Sequence, residues 1–408
     1  MKKKVVIIGG GASGFFAALN LAQEMNGNDI LILEKTNKLL SKVKVSGGGR
    51  CNVTHACFEQ RELSKNYPRG EKELLGPFHR FYTSDTIEWF NERGIELKVE
   101  EDGRMFPVSD SSQTIIDCFL NESKDKGISV WTSTEVIEVQ NDGSFHIQLK
   151  DGQSIQADYL IIACGGNSKS KHYEWIKALG HSIHSPIPSL FTFNLPKHTS
   201  NRLMGLSQHA NVKILGSQEE AYGPVLFTHW GMSGPAILKL SARAAQFLHE
   251  KNYNFEFEVE WLSSGENFIE DARRSYANKR VSLVKPEEFS KRFWSYLLER
   301  ANIREDQNWA DLNKQQLVDL QSILTSDRYQ AEGKTTFKEE FVTAGGVDLK
   351  EIKMKSMESK LLPNLFFCGE VINVDGLTGG FNFQAAWTTA WLAANEIRGI
   401  SLSKENNS

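Results

Sequence analysis

Gly9, Gly11 and Gly14 stand at GxGxxG spacing, directly after the apolar run VVII and before the apolar-periodic stretch ASGFFAALNLAQEM. Glu34 closes the next apolar run, DILILE, at the distance of about 20 residues where a carboxylate can accept hydrogen bonds from a ribose. The chemistry that needs this pattern is dinucleotide binding. Gly9 makes the tight turn, Gly11 lets a pyrophosphate approach the backbone, and Gly14 lets helix and strand pack, while the helix N-terminus at Ala12 and Ser13 faces the phosphate charge. Lys35, beside Glu34, is placed in the same set of cofactor contacts.

A second candidate is KVSGGGRCNVTH, Lys44 to His55. Ordering a glycine run costs conformational entropy, so three glycines set among polar groups point to something large pressed against the main chain. The expectation is that Ser46, Gly47, Gly48, Gly49, Cys51 and Asn52 line a cofactor. Arg50 would bring positive charge near its phosphates or ring and is also a catalytic candidate. The rival reading is a redox-active thiol pair, Cys51 with Cys57. Five residues separate them where disulfide reductases have four, and Cys51 is expected to be a small buried thiol instead. A helix onset at Asn52 to Thr54 stays open.

The GxGxxG turn alone does not choose between FAD and NAD. Two later segments resemble those of FAD-binding proteins of the two-dinucleotide-fold type. DYLIIACGG, with Ala163, Cys164, Gly165 and Gly166, resembles the strand that crosses back beside the cofactor. LFFCGEV resembles the late strand ending in Gly-Asp, with Gly369 followed here by Glu370, and that likeness implies that Glu370 holds the ribityl chain. Gly380, Phe381, Asn382 and Phe383 open the final helix, whose N–H groups and positive dipole end would face negative charge on a reduced flavin. Asp375 and Asn382 are candidate ring or ribityl partners that turn chemistry explains nearly as well. Val136, in STEVIEVQ, completes the cofactor set. No second GxGxxG follows a strand, so a nicotinamide, NADPH or NADH, would reduce the flavin as a transient visitor.

These groups need a scaffold. Lys4 to Glu34 reads as strand, glycine turn, helix and strand, with Asn26-Gly27 as the helix stop. From about Pro188 the texture changes to LFTFNL, YNFEFEVEW and helical blocks between about 265 and 327. The buried strand LFFC and the helix FQAAWTTAWLAANEI follow. The chain begins and ends with nucleotide-fold elements, which predicts a discontinuous domain, 1–188 with 342–408, around an insertion at 189–341. Within the insertion, Ser233 before Gly-Pro reads as a helix N-cap. The alternative has His229, Trp230 and Ser233 as substrate-side groups, with His229 moving a proton near neutral pH.

At 408 residues the chain suits two or three domains, and a net charge of -4 argues against whole-protein attraction to nucleic acid or an anionic membrane. Five scattered cysteines, an apolar N-terminal run too short for a signal and no apolar stretch of about 18 residues place the protein in the cytoplasm, with no membrane partner. No histidine or cysteine spacing supports a metal site.

KVSGGGRCNVTH, LFTHWGMSGPAILKLS, TAGGV, SMESK and GEVINVDGLTGGFNFQAAW, in that order, resemble the BaiN/YhiN family of FAD-dependent oxidoreductases, also described as aminoacetone oxidase-like flavoproteins. The resemblance runs nearly end to end. It implies an α/β fold: a Rossmann-like FAD domain of the two-dinucleotide-fold type with an inserted β-barrel and a helical subdomain. Cys164, His55 and Phe381 depart from the family's usual threonine, asparagine and tyrosine. The expected activity is NAD(P)H-driven reduction of a conjugated C=C bond in a small molecule. Amine oxidation with oxygen, uridine reduction in ribosomal RNA and a nonenzymatic FAD-binding role are the alternatives, and the oligomeric state stays open.

Overall fold

The protein is described by a computed structural model covering the backbone of residues 2–335 and 342–405 and the side chains of residues 4–335 and 342–401. It divides into two compact units, Met1–Ser189 with Lys338–Ser408, and Leu190–Phe337.

The first unit is built on a mixed sheet whose parallel strands lie side by side in the order Ser129–Trp131, Ile30–Leu33, Lys2–Ile8, Ser154–Ile162, Leu365–Phe367. Counted along the chain this order is 3-2-1-4-5. The direction of winding reverses between Lys2–Ile8 and Ser154–Ile162, and a ligand crevice forms outside the carboxyl ends of the strands at such a reversal. The register aligns those ends: Ile8 pairs with both Leu33 and Ile162. The next residues continue the ladder, with Gly9 N donating to Leu33 O at 2.8 Å, Ala163 N to Ile8 O at 2.8 Å and Cys368 N to Ile162 O at 3.1 Å. Four chain exits, after Ile8, Leu33, Ile162 and Phe367, therefore open at one level.

The helix Ala12–Leu21 is apolar all round, and Ser13 to Leu21 are buried without exception, as suits a helix enclosed by the fold. Phe16 packs 4.4 Å from the Trp89 ring and 5.1 Å from Trp387, tying the first helix to the final one, Phe381–Glu405. The first helix stops at Leu21, short of the expected Asn26-Gly27 stop. Gly27 has a different task, because a Cβ there would lie 2.8 Å from the Lys126 carbonyl carbon.

The second unit carries an antiparallel sheet in the order Asp327–Glu332, Asn254–Glu260, Ser207–Ile214, Glu220–Phe227, Gly231–Ser233, Thr192–Asn194, Lys334–Thr335. Its two end strands follow one another in the chain across Gly333. Burial alternates along Ser207–Ile214 and Asp327–Glu332, so one face of the sheet meets the core. The helices Gly265–Ser275, Lys291–Arg300 and Lys314–Thr325 contribute to that core, with Trp294 and Trp309 fully buried. No helix among the described residues is long and apolar enough to cross a membrane.

Candidate cofactor site

The three glycines at the GxGxxG positions differ in what surrounds them. Gly9 has φ +125°, and a Cβ would sit 2.6 Å from the Ala163 carbonyl carbon. Gly14 has no room either, since a Cβ would collide with the Gly9 carbonyl. Gly11, between them, caps the helix, and a Cβ there would meet nothing within 4 Å. Two glycines are thus needed for packing, and one keeps open space at a helix N-terminus. Glu34 stands beside this turn. One carboxylate oxygen accepts from Gly10 N at 3.0 Å and the other from Thr36 N and Oγ1, both at 2.9 Å. Lys35 is exposed next to it.

The glycine run is a left-handed turn, not an α-helical turn. Gly47, Gly48 and Gly49 have φ of +58°, +69° and +86°, and Cys51 follows at +63°. Gly48 faces nothing within 4 Å, while a Cβ on Gly47 would press on the Phe106 ring at 2.7 Å. Ser46 starts the turn and donates to Val43 O. Asn52, with its amide oxygen toward the final helix, accepts from Gly380 N at 2.9 Å and donates to the carbonyls of Thr54 and Met105. The stretch after Cys51 is no helix onset: Thr54–His55 is a strand paired with Met105 and Arg104.

Cys51 and Cys57 are free thiols. Burial pushes the Cys51 thiol up to about 12, so it stays protonated at neutral pH, the opposite of a redox thiolate. Arg50 donates to Glu100, lies 3.5 Å from Asp110 and stacks 3.9 Å over the Phe106 ring.

At the end of Ser154–Ile162, Ala163 is buried, Cys164 is exposed and Gly165, at φ +70°, faces nothing within 4 Å. Gly166 meets Glu370, whose carboxylate accepts from Thr343 N at 2.9 Å and lies 3.4 Å from Gly166 N. Lys42 forms an ion pair with the same carboxylate. Sequence reading did not single out Lys42, although it sits five residues before the glycine run. Gly369, at φ +74°, leaves its space to the Ser13 hydroxyl, and its N–H donates to Thr389 Oγ1 at 2.9 Å. Val136 opens the strand Val136–Asn141, two residues after Thr134, whose N–H donates to Glu34 O at 2.8 Å.

Around the final helix, turn chemistry accounts for two candidates. Asn382 accepts from Gly376 N at 2.8 Å and donates to Gly376 O at 2.9 Å, using both ends of its amide. Asp375 is fully buried, held by two donors of Arg69 and by Ser189 Oγ at 2.8 Å. Gly380, at φ +95°, lies against the Thr54 carbonyl, where any Cβ would clash. Phe381 stacks on His55 at 4.6 Å, and His55 Nδ1 lies 2.9 Å from Gly379 O. Phe383 stacks on Trp387.

His229 and Ser233 belong to the second unit. His229 is exposed in the turn after Glu220–Phe227, with Nδ1 2.9 Å from Met204 Sδ, beside the 53% exposed Trp230. Ser233 is not the N-cap expected from the sequence. The cap of helix Pro235–Arg243 is Gly234, at φ +91°, and a Cβ there would meet Pro224 O at 2.8 Å. Ser233 ends a strand instead and accepts from Thr192 Oγ1 at 3.1 Å.

The residues of the first unit fit a dinucleotide cofactor. Gly11, Gly48 and Gly165 each face open space, and each follows one of the strands or loops of the crevice. Thr343 Oγ1, buried beside Gly166 and Glu370, has no hydrogen-bond partner among the described residues.

Likeness to known proteins bears on the family and the fold. The sequence profile described as "HI0933-like protein Rossmann domain" matches residues 3–396. A ribosomal RNA dihydrouridine synthase of Escherichia coli is 29% identical over 402 residues, covering 96% of this chain and 97% of that one. A 3-dehydro-bile acid delta(4,6)-reductase of Clostridium scindens is 28% identical over 404 residues, covering 96% and 98%. Among solved structures, a 3-ketosteroid delta1-dehydrogenase of Sterolibacterium denitrificans aligns over 98% of this chain and 100% of its own, with TM-score 0.52 and 11% identity. An E. coli quinol fumarate reductase chain aligns over 99% and 71%, with TM-score 0.52 and 13% identity. At those identities the structural likeness concerns the fold.

Proposed function

We propose a function from one premise: the chain belongs to the HI0933-like family of FAD-dependent Rossmann-domain proteins, the BaiN/YhiN group. It is an FAD-dependent oxidoreductase. The reaction we assign is reduction of a C=C bond conjugated to a carbonyl in an organic substrate, with NADPH or NADH as the transient reductant. One observation carries this reading. The two kinds of curated relative differ in substrate, a bile acid and ribosomal RNA, yet delta(4,6)-reduction and dihydrouridine formation both saturate a C=C bond.

FAD, when bound, supplies the redox chemistry, taking hydride from the nicotinamide and giving it to the substrate. The chain binds, orients and moves protons. Glu34 receives ribose hydroxyls, and Gly11 with the helix Ala12–Leu21 opposes the pyrophosphate charge. Glu370 and the unpartnered Thr343 hydroxyl serve the ribityl side. The first-turn N–H groups of Phe381–Glu405 present a positive dipole end to the ring. Adding hydride to one carbon leaves the other needing a proton, and we assign its delivery to His229, an exposed imidazole of the second unit. Ser233 is the proposed substrate hydrogen-bonder.

Uridine in ribosomal RNA is the second reading, favoured by the 29% identical relative. Both are tested by reducing the flavin anaerobically with NADPH or NADH and then adding a steroid enone or unmodified ribosomal RNA in separate arms, and, in a third arm, by adding a primary amine to the oxidised protein without a nicotinamide. Repeated flavin reoxidation with a saturated ketone as product supports the first reading. Dihydrouridine in the RNA arm alone replaces it with the second. Reduction of oxidised flavin by the amine, with turnover only under oxygen, overturns both.

A further inference from the structure

We infer that Lys42 is the positioning residue of Glu370, holding its carboxylate in the direction that the flavin's ribityl side requires. The inference rests on the FAD reading above and adds to it a residue outside the GxGxxG turn, the glycine run and the late strand end.

Glu370 carries one methylene more than the aspartate that the two-dinucleotide-fold pattern has at this place, and so one more rotatable bond for its carboxylate. The structure restricts that freedom from three chain segments. Oε1 accepts from Thr343 N at 2.9 Å, and Oε2 lies 3.4 Å from Gly166 N. The third restraint is the Lys42 ammonium on Oε2. Gly166 makes room for this arrangement, because a Cβ on it would lie 2.8 Å from the Glu370 carboxyl carbon.

Lys42 lies in the short helical piece that ends where Ser46 leaves helical geometry with ψ +146°. It therefore connects the base of the glycine run to the late strand end, 328 positions away. The lysine side chain is 45% exposed and that of Glu370 15%. An ion pair with so wet a cation adds little to folding stability. Its consequence is directional: it selects which lone pairs of the carboxylate stay available to a ligand beside the unpartnered Thr343 hydroxyl.

The test uses the full-length FAD-loaded protein, with FAD release after dilution followed by flavin fluorescence and the fold checked by far-UV circular dichroism. Lys42→Met should weaken FAD binding about tenfold, the size of one charge-assisted hydrogen bond. Lys42→Arg, which keeps the charge, should stay within about twofold of wild type. If Lys42 acts through Glu370, Glu370→Gln combined with Lys42→Met should be no weaker than Glu370→Gln alone. Additive losses in the double variant, or K42M with wild-type release, overturn the inference while leaving FAD binding itself intact. A wild-type protein that held no FAD would overturn the cofactor reading and this inference together.

Discussion

Thr54 Oγ1 donates to Gln384 Oε1 at 2.6 Å, with both side chains fully buried and 330 positions apart. Thr86 Oγ1 donates to the same oxygen at 3.0 Å, and Gln384 Nε2 donates to Thr388 Oγ1 at 3.1 Å. This network fastens the final helix to the strand that follows the glycine run. Trp387 adds its indole N–H to the Val53 carbonyl at 2.9 Å.

Gln384→Leu removes the acceptor and leaves two buried hydroxyls without it. Each orphaned polar group costs about 1–3 kcal/mol, so the unfolding free energy should fall by about 2 kcal/mol or more in urea titrations. A loss below about 0.5 kcal/mol would mean the network is replaced by water or by other partners.

The second and third glycines of the GxGxxG pattern should respond in opposite ways. Gly11→Ala places a methyl in open space at φ -98°, so the fold should lose no more than about 1 kcal/mol while FAD content drops sharply. Gly14→Ala drives a methyl into the Gly9 carbonyl and should lower thermal stability first. Thermal melts paired with flavin absorbance separate the two effects. Equal FAD content in Gly11→Ala and wild type would remove the phosphate contact from that residue.

His181 predicts an acid limb. It is buried, with Nε2 3.0 Å from Ser359 Oγ and Nδ1 3.2 Å from Glu351, and burial lowers its pKa against the pull of Glu351. A histidine with a depressed folded value adds stability that is present above the unfolded value, about 6.5, and lost as pH falls below it. Between pH 6.5 and 5 the wild type should lose stability more steeply than His181→Asn, by at most about 1.4 kcal/mol per pH unit. Parallel slopes would show that the folded protein accepts the proton at this site.

Cys51 predicts an alkaline limb and an inert thiol. Its folded value, pushed up by burial to about 12, stands above the ordinary thiol value of 9.0, so it contributes stability below pH 9 that is lost as pH rises toward 12. Iodoacetamide at pH 8 should leave Cys51 unlabelled in the native protein, read by peptide mass spectrometry. Cys51→Ala should keep FAD and turnover, and total loss of turnover with FAD retained would restore the thiol-redox reading.

The sequence by itself determined the local grammar of the first unit. The run VVII, the glycine turn, the apolar helix and Glu34 lie within 34 residues, and their geometry follows from spacing, periodicity and glycine's access to positive φ. Family membership was legible for a related reason, since five motifs in fixed order carry it through the chain. Local pattern misled at the helix Pro235–Arg243, whose cap is Gly234 and not Ser233, with Pro224 O standing where a Cβ at 234 would be. Only the tertiary structure decided which partners the polar groups take. Asp375 turns to Arg69 and Ser189, Asn382 to Gly376, and Arg50 to Glu100, choices made by burial and by segments far away in the chain. Gly166 meets Glu370 because the sheet order brings the end of Leu365–Phe367 beside that of Ser154–Ile162, and Lys42 reaches the same carboxylate from the segment that follows Ile30–Leu33. A sequence does not show such a pairing, because charge, distance and direction meet only after the chain has folded.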